Sequence, residues 1–194
     1  MRLFHFSDDP GIRRFEPRPV QVPSERGPGR GWLNGPLVWA IAEHRQAMYT
    51  FPRDCPRILL WATADTTDQD RARWFGHSTA SILAHIEWDW FERVTRGAIH
   101  RYELPTEGFE DLGDAGMWIC RETVEPLGMQ TLSNIPAALA ELGVELRILP
   151  SLLPLRDVWS TSLHASGVRL RQAAGWAEAG APAARLLAPE APRG

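Results

Sequence analysis

Two apolar segments that lie close together in the chain constrain the fold more than any other feature. Residues 37–41 and 57–61 are both strand-like, since apart from Arg57 they are wholly apolar. Between them, residues 43–49 suit about two turns of helix, which Pro52 prevents from continuing. The loop 51–57, FPRDCPR, then holds two guanidiniums, a carboxylate and a thiol together with two prolines. This arrangement predicts a pinned corner between two core strands.

The rest of the chain mixes short strands with short helices. Further strands are expected at residues 3–6, 98–104, 117–124 and 144–148. Helices are expected over residues 81–96, 133–142 and 152–171, and a polar connection over residues 63–70. Several strands are joined by loops that are too short for crossover helices. We therefore predict an α+β fold with mixed or mostly antiparallel sheets and short helices.

The length of 194 residues suits one well-buried core and is short for two. We predict a single globular domain over residues 1–172 and a disordered tail, rich in Ala, Pro and Gly, over residues 173–194. Residues 17–36 hold many prolines and glycines and form a long surface loop. This loop is either a lid or binding loop, or it is disordered.

Composition excludes several classes of function. The net charge of -3 provides no bulk attraction to nucleic acid. Every basic side chain apart from histidine is an arginine, so no lysine can form a Schiff base or a phosphate-loop contact. No apolar run can span a bilayer, and acids follow the N-terminus where a signal peptide needs apolar residues, so we expect a cytoplasmic protein.

The two cysteines and the histidines show no metal-binding pattern. Cys55 and Cys120 lack CxxC spacing, and no histidines have HExxH spacing, so neither a disulfide framework nor a metal site is expected. Cys55 lies between arginines that could activate its thiol, which leaves a cysteine hydrolase as the weakest of three functional hypotheses.

Polar side chains in two segments are candidates for ligand binding. His5 and Ser7 project to the same face of the first strand and could bind a ribose or a phosphate through hydrogen bonds. Arg53 and Arg57 flank Asp54 in the proline-bracketed loop. They form either a structural knot, with an arginine paired to Asp54, or an anion site, since the guanidinium fork matches phosphate and carboxylate.

The opening segment, with Leu3 to Ser7 followed by Ile12, Phe15 and Pro17, resembles that of ADP-ribosyltransferase-like proteins. Residues 37–41 with Tyr49 resemble the second block of that fold. Residues 116–119 with Val124 and Pro126 resemble the late strand of RNA 2′-phosphotransferase-like members. As a whole, the HFS, FPRDCPR, IEWDW and RYELP blocks resemble a small bacterial family of uncharacterised proteins.

The resemblance implies a nucleotide site with NAD as a candidate substrate and no assigned cofactor. His5 and Ser7 would hold the nicotinamide ribose, and Tyr49 would line the cleft. Glu122 is the nearest candidate for the catalytic glutamate, although it follows the strand entry late. A phosphotransferase-type site would draw on the arginines Arg18, Arg53 and Arg57.

Two hypotheses therefore lead. One is a nucleotide-binding enzyme of ADP-ribosyltransferase-like fold that acts on NAD, an ADP-ribosyl group or a 2′-phosphate group. The other is a non-enzymatic module that binds a small anionic ligand in a cleft of arginines and aromatic rings. The expected partner in both cases is a nucleotide or another small anion, and the sequence does not define the oligomeric state.

Overall fold

The computed structural model describes residues 1–23 and 26–180. These residues form ten strands and three α-helices, with short 3₁₀ segments between several of them. The strands are β1 (Leu3–Ser7), β2 (Val38–Ala42), β3 (Arg57–Trp61), β4 (Ile82–Glu87), β5 (Ile99–Leu104), β6 (Glu110–Asp111), β7 (Met117–Cys120), β8 (Gly128–Leu132), β9 (Val144–Leu149) and β10 (His164–Val168). The helices are α1 (Asp68–Phe75), α2 (Phe91–Arg96) and α3 (Ile135–Glu141). The fold is α+β, which confirms the predicted fold class.

The chain divides into two compact units, each with its own sheet. The first unit contains Met1–Gln46 and His100–Thr131, and the second contains Ala47–Ile99 and continues from Leu132. The prediction of a single domain over residues 1–172 stays a prediction.

The first unit is built on a six-stranded sheet with the order β6-β7-β2-β1-β5-β8. β1 lies between β2 and β5 and is antiparallel to both. β1 is apolar because it lies in the middle of the sheet, where four of its five residues are buried. The core on one face contains Leu3, Phe15, Val38, Ala40, Ala42, Tyr102, Leu104, Phe109, Cys120 and Val124.

The second unit is built on a four-stranded sheet with the order β10-β3-β4-β9. β3 is antiparallel to β10 and β4, whereas β4 is parallel to β9, so the sheet is mixed. Every residue of β3 and β4 is buried, as an apolar run covered on both faces requires. The core here contains Ile58, Leu60, Phe75, Leu83, Leu152, Leu155, Val158, Leu163, Ala173 and Trp176.

The predicted helix over residues 81–96 is wrong in its first half. Residues Ile82–Glu87 form strand β4, a 3₁₀ turn follows at Trp88–Trp90, and only Phe91–Arg96 is α-helical. The apolar spacing of four that favoured a helix coexists with a mostly apolar run, in which only His85 is polar between Ile82 and Ile86, and such a run is also typical of a strand buried on both faces. Pairing with β3 and β9 decides between the two structures.

Two other segments also differ from expectation. The predicted polar connection at residues 63–70 overlaps α1, which begins at Asp68 and is capped by the Thr67 hydroxyl. Residues 152–171 form a 3₁₀ segment, Leu153–Ser160, followed by β10, because the second half pairs with β3. The helix predicted over residues 133–142 is α3, which begins at Ile135 and is capped by Asn134.

The two segments with uncertain predictions are partly described. In the loop 17–36, the backbone of Arg18 pairs with Leu37, and a 3₁₀ turn at Gly31–Asn34 buries Leu33. In the predicted tail, residues 173–180 form turns in which Ala173 and Trp176 are buried, whereas residues 181–194 lie outside the described part of the chain.

Candidate functional site

The proline-bracketed loop turns the chain sharply into β3 and brings Arg57 inside the second unit. The Cys55 amide donates to the Pro52 carbonyl at 3.0 Å, which closes the turn. Arg57, the first residue of β3, is only 1% exposed. Its Nε donates to the Met48 carbonyl at 2.7 Å, and a terminal nitrogen donates to the Cys55 carbonyl at 2.8 Å. The guanidinium is therefore fixed in place by the backbone on either side of the loop.

Aromatic rings and other arginines surround this buried charge. The guanidinium of Arg57 lies 5.1 Å from the Phe51 ring centre and 5.7 Å from that of Tyr49. The pKa of Arg57 is lowered to about 10, mainly by burial; Cys55 and Tyr49 oppose this effect, and the charges of Arg169 and Arg53 add to it. The group still carries its charge at neutral pH. Within the described part of the chain, its hydrogen bonds go to carbonyl groups and it forms no ion pair.

A distant part of the chain adds another arginine to the loop. β10 pairs with β3 so that Val168 lies opposite Arg57, and Arg169 follows directly. Arg169 has a left-handed backbone, with φ 57° and ψ 24°, which non-glycine residues adopt only where the surroundings enforce it. Its Nε donates to the Arg53 carbonyl at 3.3 Å and lies 3.7 Å from an oxygen of Asp54. The partner of Asp54 is therefore Arg169, and not one of its neighbours in the loop.

We call the group formed by Tyr49, Arg53, Asp54, Arg57, Arg169 and Arg171 the arginine corner. Burial lowers the pKa of Arg169, and the charges of Arg53 and Arg171 lower it further, while Asp54 acts in the opposite direction. The corner combines four guanidiniums with one carboxylate, whose side chain is 59% exposed. The local charge is therefore strongly positive in a chain whose net charge is -3.

Cys55 lies in the same loop but has the wrong properties for a nucleophile. Its side chain is fully buried, and its thiol is placed to donate to the Pro56 carbonyl at 3.6 Å. Burial raises the pKa of the thiol to about 12, although the charge of Arg57 acts in the opposite direction. The thiolate, which is the nucleophilic form, is therefore scarce at neutral pH. This geometry removes the basis for the cysteine hydrolase hypothesis.

The remaining predicted site residues belong to the first unit. His5 lies in β1, where its Nδ1 is 2.8 Å from the Trp39 carbonyl and its ring packs on Phe15 at 4.6 Å. The buried Ser7 hydroxyl accepts a hydrogen bond from the Asp9 amide at 3.1 Å and so helps to close the turn after β1. Both side chains are thus engaged in local structure.

Arg18 and Glu122 are both exposed. The Arg18 backbone pairs with Leu37, so its contribution to the fold comes from the main chain. Glu122 follows the end of β7 at Cys120, and its amide is 3.4 Å from the Cys120 sulfur. The carboxylate is therefore carried by a bend after the strand, as its late position in the sequence indicated.

Of the predicted residues, Tyr49, Arg53 and Arg57 lie together in the second unit, while His5, Ser7, Arg18 and Glu122 lie in the first. Arg169 and Arg171 were not predicted from the sequence. No local motif marks Arg169, because only the pairing of β10 with β3 brings it to the loop, and Arg171 lies two residues beyond it.

Comparison with known families gives a clear assignment. A family model described as "Family of unknown function (DUF6886)" matches residues 4–173. The chain belongs to this DUF6886 family. The match covers both units and confirms the predicted membership of an uncharacterised family.

Searches of curated proteins and of solved structures give no significant match for this DUF6886 member. Among the described residues, no helix is both long and apolar enough to cross a membrane. The same part of the chain holds no cluster of three or more His, Cys, Asp or Glu side chains that could bind a metal ion.

Proposed function

We propose that the second unit binds a small anionic ligand, through a phosphate or carboxylate group, at the arginine corner. The observation that carries this proposal is the buried charge of Arg57, whose hydrogen bonds go to backbone carbonyls while Arg53 and Arg169 add further positive charge. An uncompensated buried charge is costly, and a bound anion would offset that cost.

The residues of the arginine corner would have different roles in binding. Arg57 is too deeply buried to contact a ligand, so it supplies a fixed positive field and holds the loop. Arg53 and Arg171 are exposed and Arg169 is half-buried, so these three can reach an anion. Asp54 lies 3.7 Å from Arg169, and the ligand would replace Asp54 as the partner of this guanidinium. Guanidiniums form strong bidentate hydrogen bonds with phosphate and carboxylate oxygens.

A nucleotide is the ligand class that we favour within this proposal. Tyr49 presents a half-buried ring beside the arginines, and an aromatic ring can stack on a base or a nicotinamide. A separate version is an ADP-ribosyltransferase-like enzyme in the cytoplasm with NAD as its substrate, in which His5 and Ser7 bind the ribose and Glu122 is the catalytic carboxylate, all three within the first unit. The resemblance of the β1 segment to that family's opening supports this version, and the exposed position of Glu122 on a bend weakens it.

Titration calorimetry of the whole chain with inorganic phosphate, acetate, ADP-ribose and NAD tests the proposal. We expect phosphate and ADP-ribose to bind and acetate to be weaker, since phosphate offers more acceptors and more charge. Replacing Arg169 or Arg53 with Gln should weaken binding at least about tenfold, because each loses one charge-assisted contact worth roughly 1.5–3 kcal/mol. Affinity should also fall as salt rises.

Arg96→Gln is the matched control. Arg96 lies in the same unit, its side chain is 79% exposed, and its partner is Glu92 at 2.7 Å. The substitution removes the same charge at a distance from the corner, so binding should be unchanged. If none of the four compounds binds the folded chain, or if all three variants weaken binding equally, the proposal is wrong. Binding of NAD without release of nicotinamide would reject only the enzyme version.

A further inference from the structure

Strand β8 forms an edge of the first sheet that differs from the other three edges of the described sheets. β6, at the opposite edge of the same sheet, is two residues long and both are acids. In the second sheet, β9 carries Glu145 and Arg147, and α3 packs along it. Short length, charge and a covering helix are the usual devices that stop sheet edges from pairing with other chains.

β10, the other edge of the second sheet, contains Gly167, where an added Cβ would meet Leu170 at 2.4 Å. Leu170 and Trp159 therefore pack closely against this strand, and only one of its five residues, Gly167, is exposed. In contrast, β8 pairs only with β5 within the described part of the chain, and four of its five residues are exposed.

The sequence around β8 is also free of charge. Residues 126–140, PLGMQTLSNIPAALA, contain no acidic or basic side chain. Two large apolar side chains on this segment face solvent, since Leu127 is 69% exposed and Met129 is 44% exposed. An uncharged edge strand that exposes apolar side chains is the type of strand that recruits another strand.

We propose that β8 pairs in an antiparallel manner with β8 of a second copy of this chain. A two-fold axis through Gln130 would place Met129 of one copy opposite Thr131 of the other, and Gly128 opposite Leu132. The two six-stranded sheets would then join into one continuous sheet. An isologous contact of this kind needs a surface that is complementary to itself.

Charge favours a second copy over a different partner. A two-fold axis through Gln130 places Gln130 opposite its own copy and Met129 diagonal to its own copy, so a charge at either position would repel itself. The uncharged sequence of β8 avoids that repulsion, and it offers no charge with which to select a different partner.

The edge is also held in a fixed conformation. An Arg101 terminal nitrogen donates to the side-chain oxygen of Gln130, and His100 Nδ1 lies 3.0 Å from the Thr131 hydroxyl. These contacts tie two central residues of β8 to β5. A rigid strand loses less conformational entropy when it pairs, so even a small contact can be stable.

Sedimentation velocity over a range of concentrations tests this inference. We expect a reversible monomer–dimer equilibrium in the wild-type chain. Met129→Lys should raise the dimer dissociation constant at least about tenfold, because the two-fold axis introduces the charge twice at the contact. Val22→Lys is the matched control, since Val22 is 53% exposed in the same unit and lies in a loop, and it should leave the equilibrium unchanged.

Hydrogen exchange provides a second measurement that needs no variant. The amides of β8 should exchange more slowly as the protein concentration rises, while those of β6 should not change. A chain that stays monomeric to about 100 μM, well above typical affinities of specific dimers, would overturn the inference. Equal effects of Met129→Lys and Val22→Lys, or dimers without protection of β8, would also overturn it.

Discussion

The burial of His85 in β4 gives a prediction for how stability depends on pH. The side chain is 2% exposed, and its Nδ1 lies 3.3 Å from the Ile58 carbonyl. Burial lowers the pKa of His85 from 6.5 to about 4; the Ile58 carbonyl and Glu145 oppose this effect, and the Arg147 charge adds to it. The folded chain therefore keeps the imidazole neutral in a range where the unfolded chain takes up a proton.

The sign and size of the effect follow from this difference. Below pH 6.5 the unfolded state binds the proton more tightly, so stability falls as pH falls, until the folded state is also protonated near pH 4. The full difference is about 3 kcal/mol, and the loss between about pH 7 and about pH 5 is about 2 kcal/mol. This loss is a large fraction of the stability of a typical domain.

Urea unfolding at several pH values, in the wild-type chain and in His85→Gln, measures this contribution. Gln keeps a donor for the Ile58 carbonyl but does not titrate, so the variant should lack the loss of about 2 kcal/mol between about pH 7 and about pH 5. The carboxylates whose pKa values are lowered, such as Glu145, act at lower pH and are common to both chains. If the two chains lose the same stability in this range, or if an NMR titration shows that the His85 ring is protonated near pH 6, the reasoning is wrong.

Three further predictions concern single side chains. Native Cys55 should resist iodoacetamide at neutral pH and react after unfolding, because burial raises its pKa to about 12; rapid selective labelling, detected by mass spectrometry, would contradict this. Gly116→Ala should cost about 1–2 kcal/mol in urea unfolding, since φ is 73° and the new Cβ would lie 2.9 Å from Arg45 Cγ; Gly31→Ala, with nothing within 4 Å, is the control and should cost less. Asn134→Ala should cost about 1 kcal/mol, because α3 loses the side chain that accepts from its first turn, and an unchanged unfolding midpoint would refute this.

The strands that flank the proline-bracketed loop could be predicted well because their apolar runs are bounded by strong turn signals. The predicted strand at residues 57–61 matches β3, and the predicted strand at residues 37–41 differs from β2 by one residue at each end. Pro52 and Pro56 explain this success, since proline restricts the chain in the same way whatever the tertiary structure.

The errors arise where pairing between distant residues decides the structure. β4 has the apolar spacing of a helix and also the mostly apolar composition of a buried strand, and only its neighbours β3 and β9 select the strand. α1 could have been found from Thr67 and Asp70, which form the start of a capping pattern. β10 carries no such signal, since its strand is defined by the pairing with β3.

For the candidate site too, the sequence predicted the residues that lie in one segment but not those that long-range pairing adds. Arg53, Arg57 and Tyr49 lie in one segment of the sequence, and the loop holds them near each other. Arg169 lies 116 positions from Arg53, to which it donates a hydrogen bond, so composition and spacing could not connect them. The division into two units also could not be foreseen, because each unit is assembled from segments that alternate along the chain.

The most direct test of the arginine corner is an NMR titration that observes the Nε–H signals of arginine side chains as phosphate or ADP-ribose is added. The account predicts that the signals of Arg53 and Arg169 shift and saturate together, because their guanidiniums contact the ligand, while the signal of Arg96 does not move. Signals of the corner that remain fixed, or that shift no more than that of Arg96, would contradict the claim that this site binds an anion.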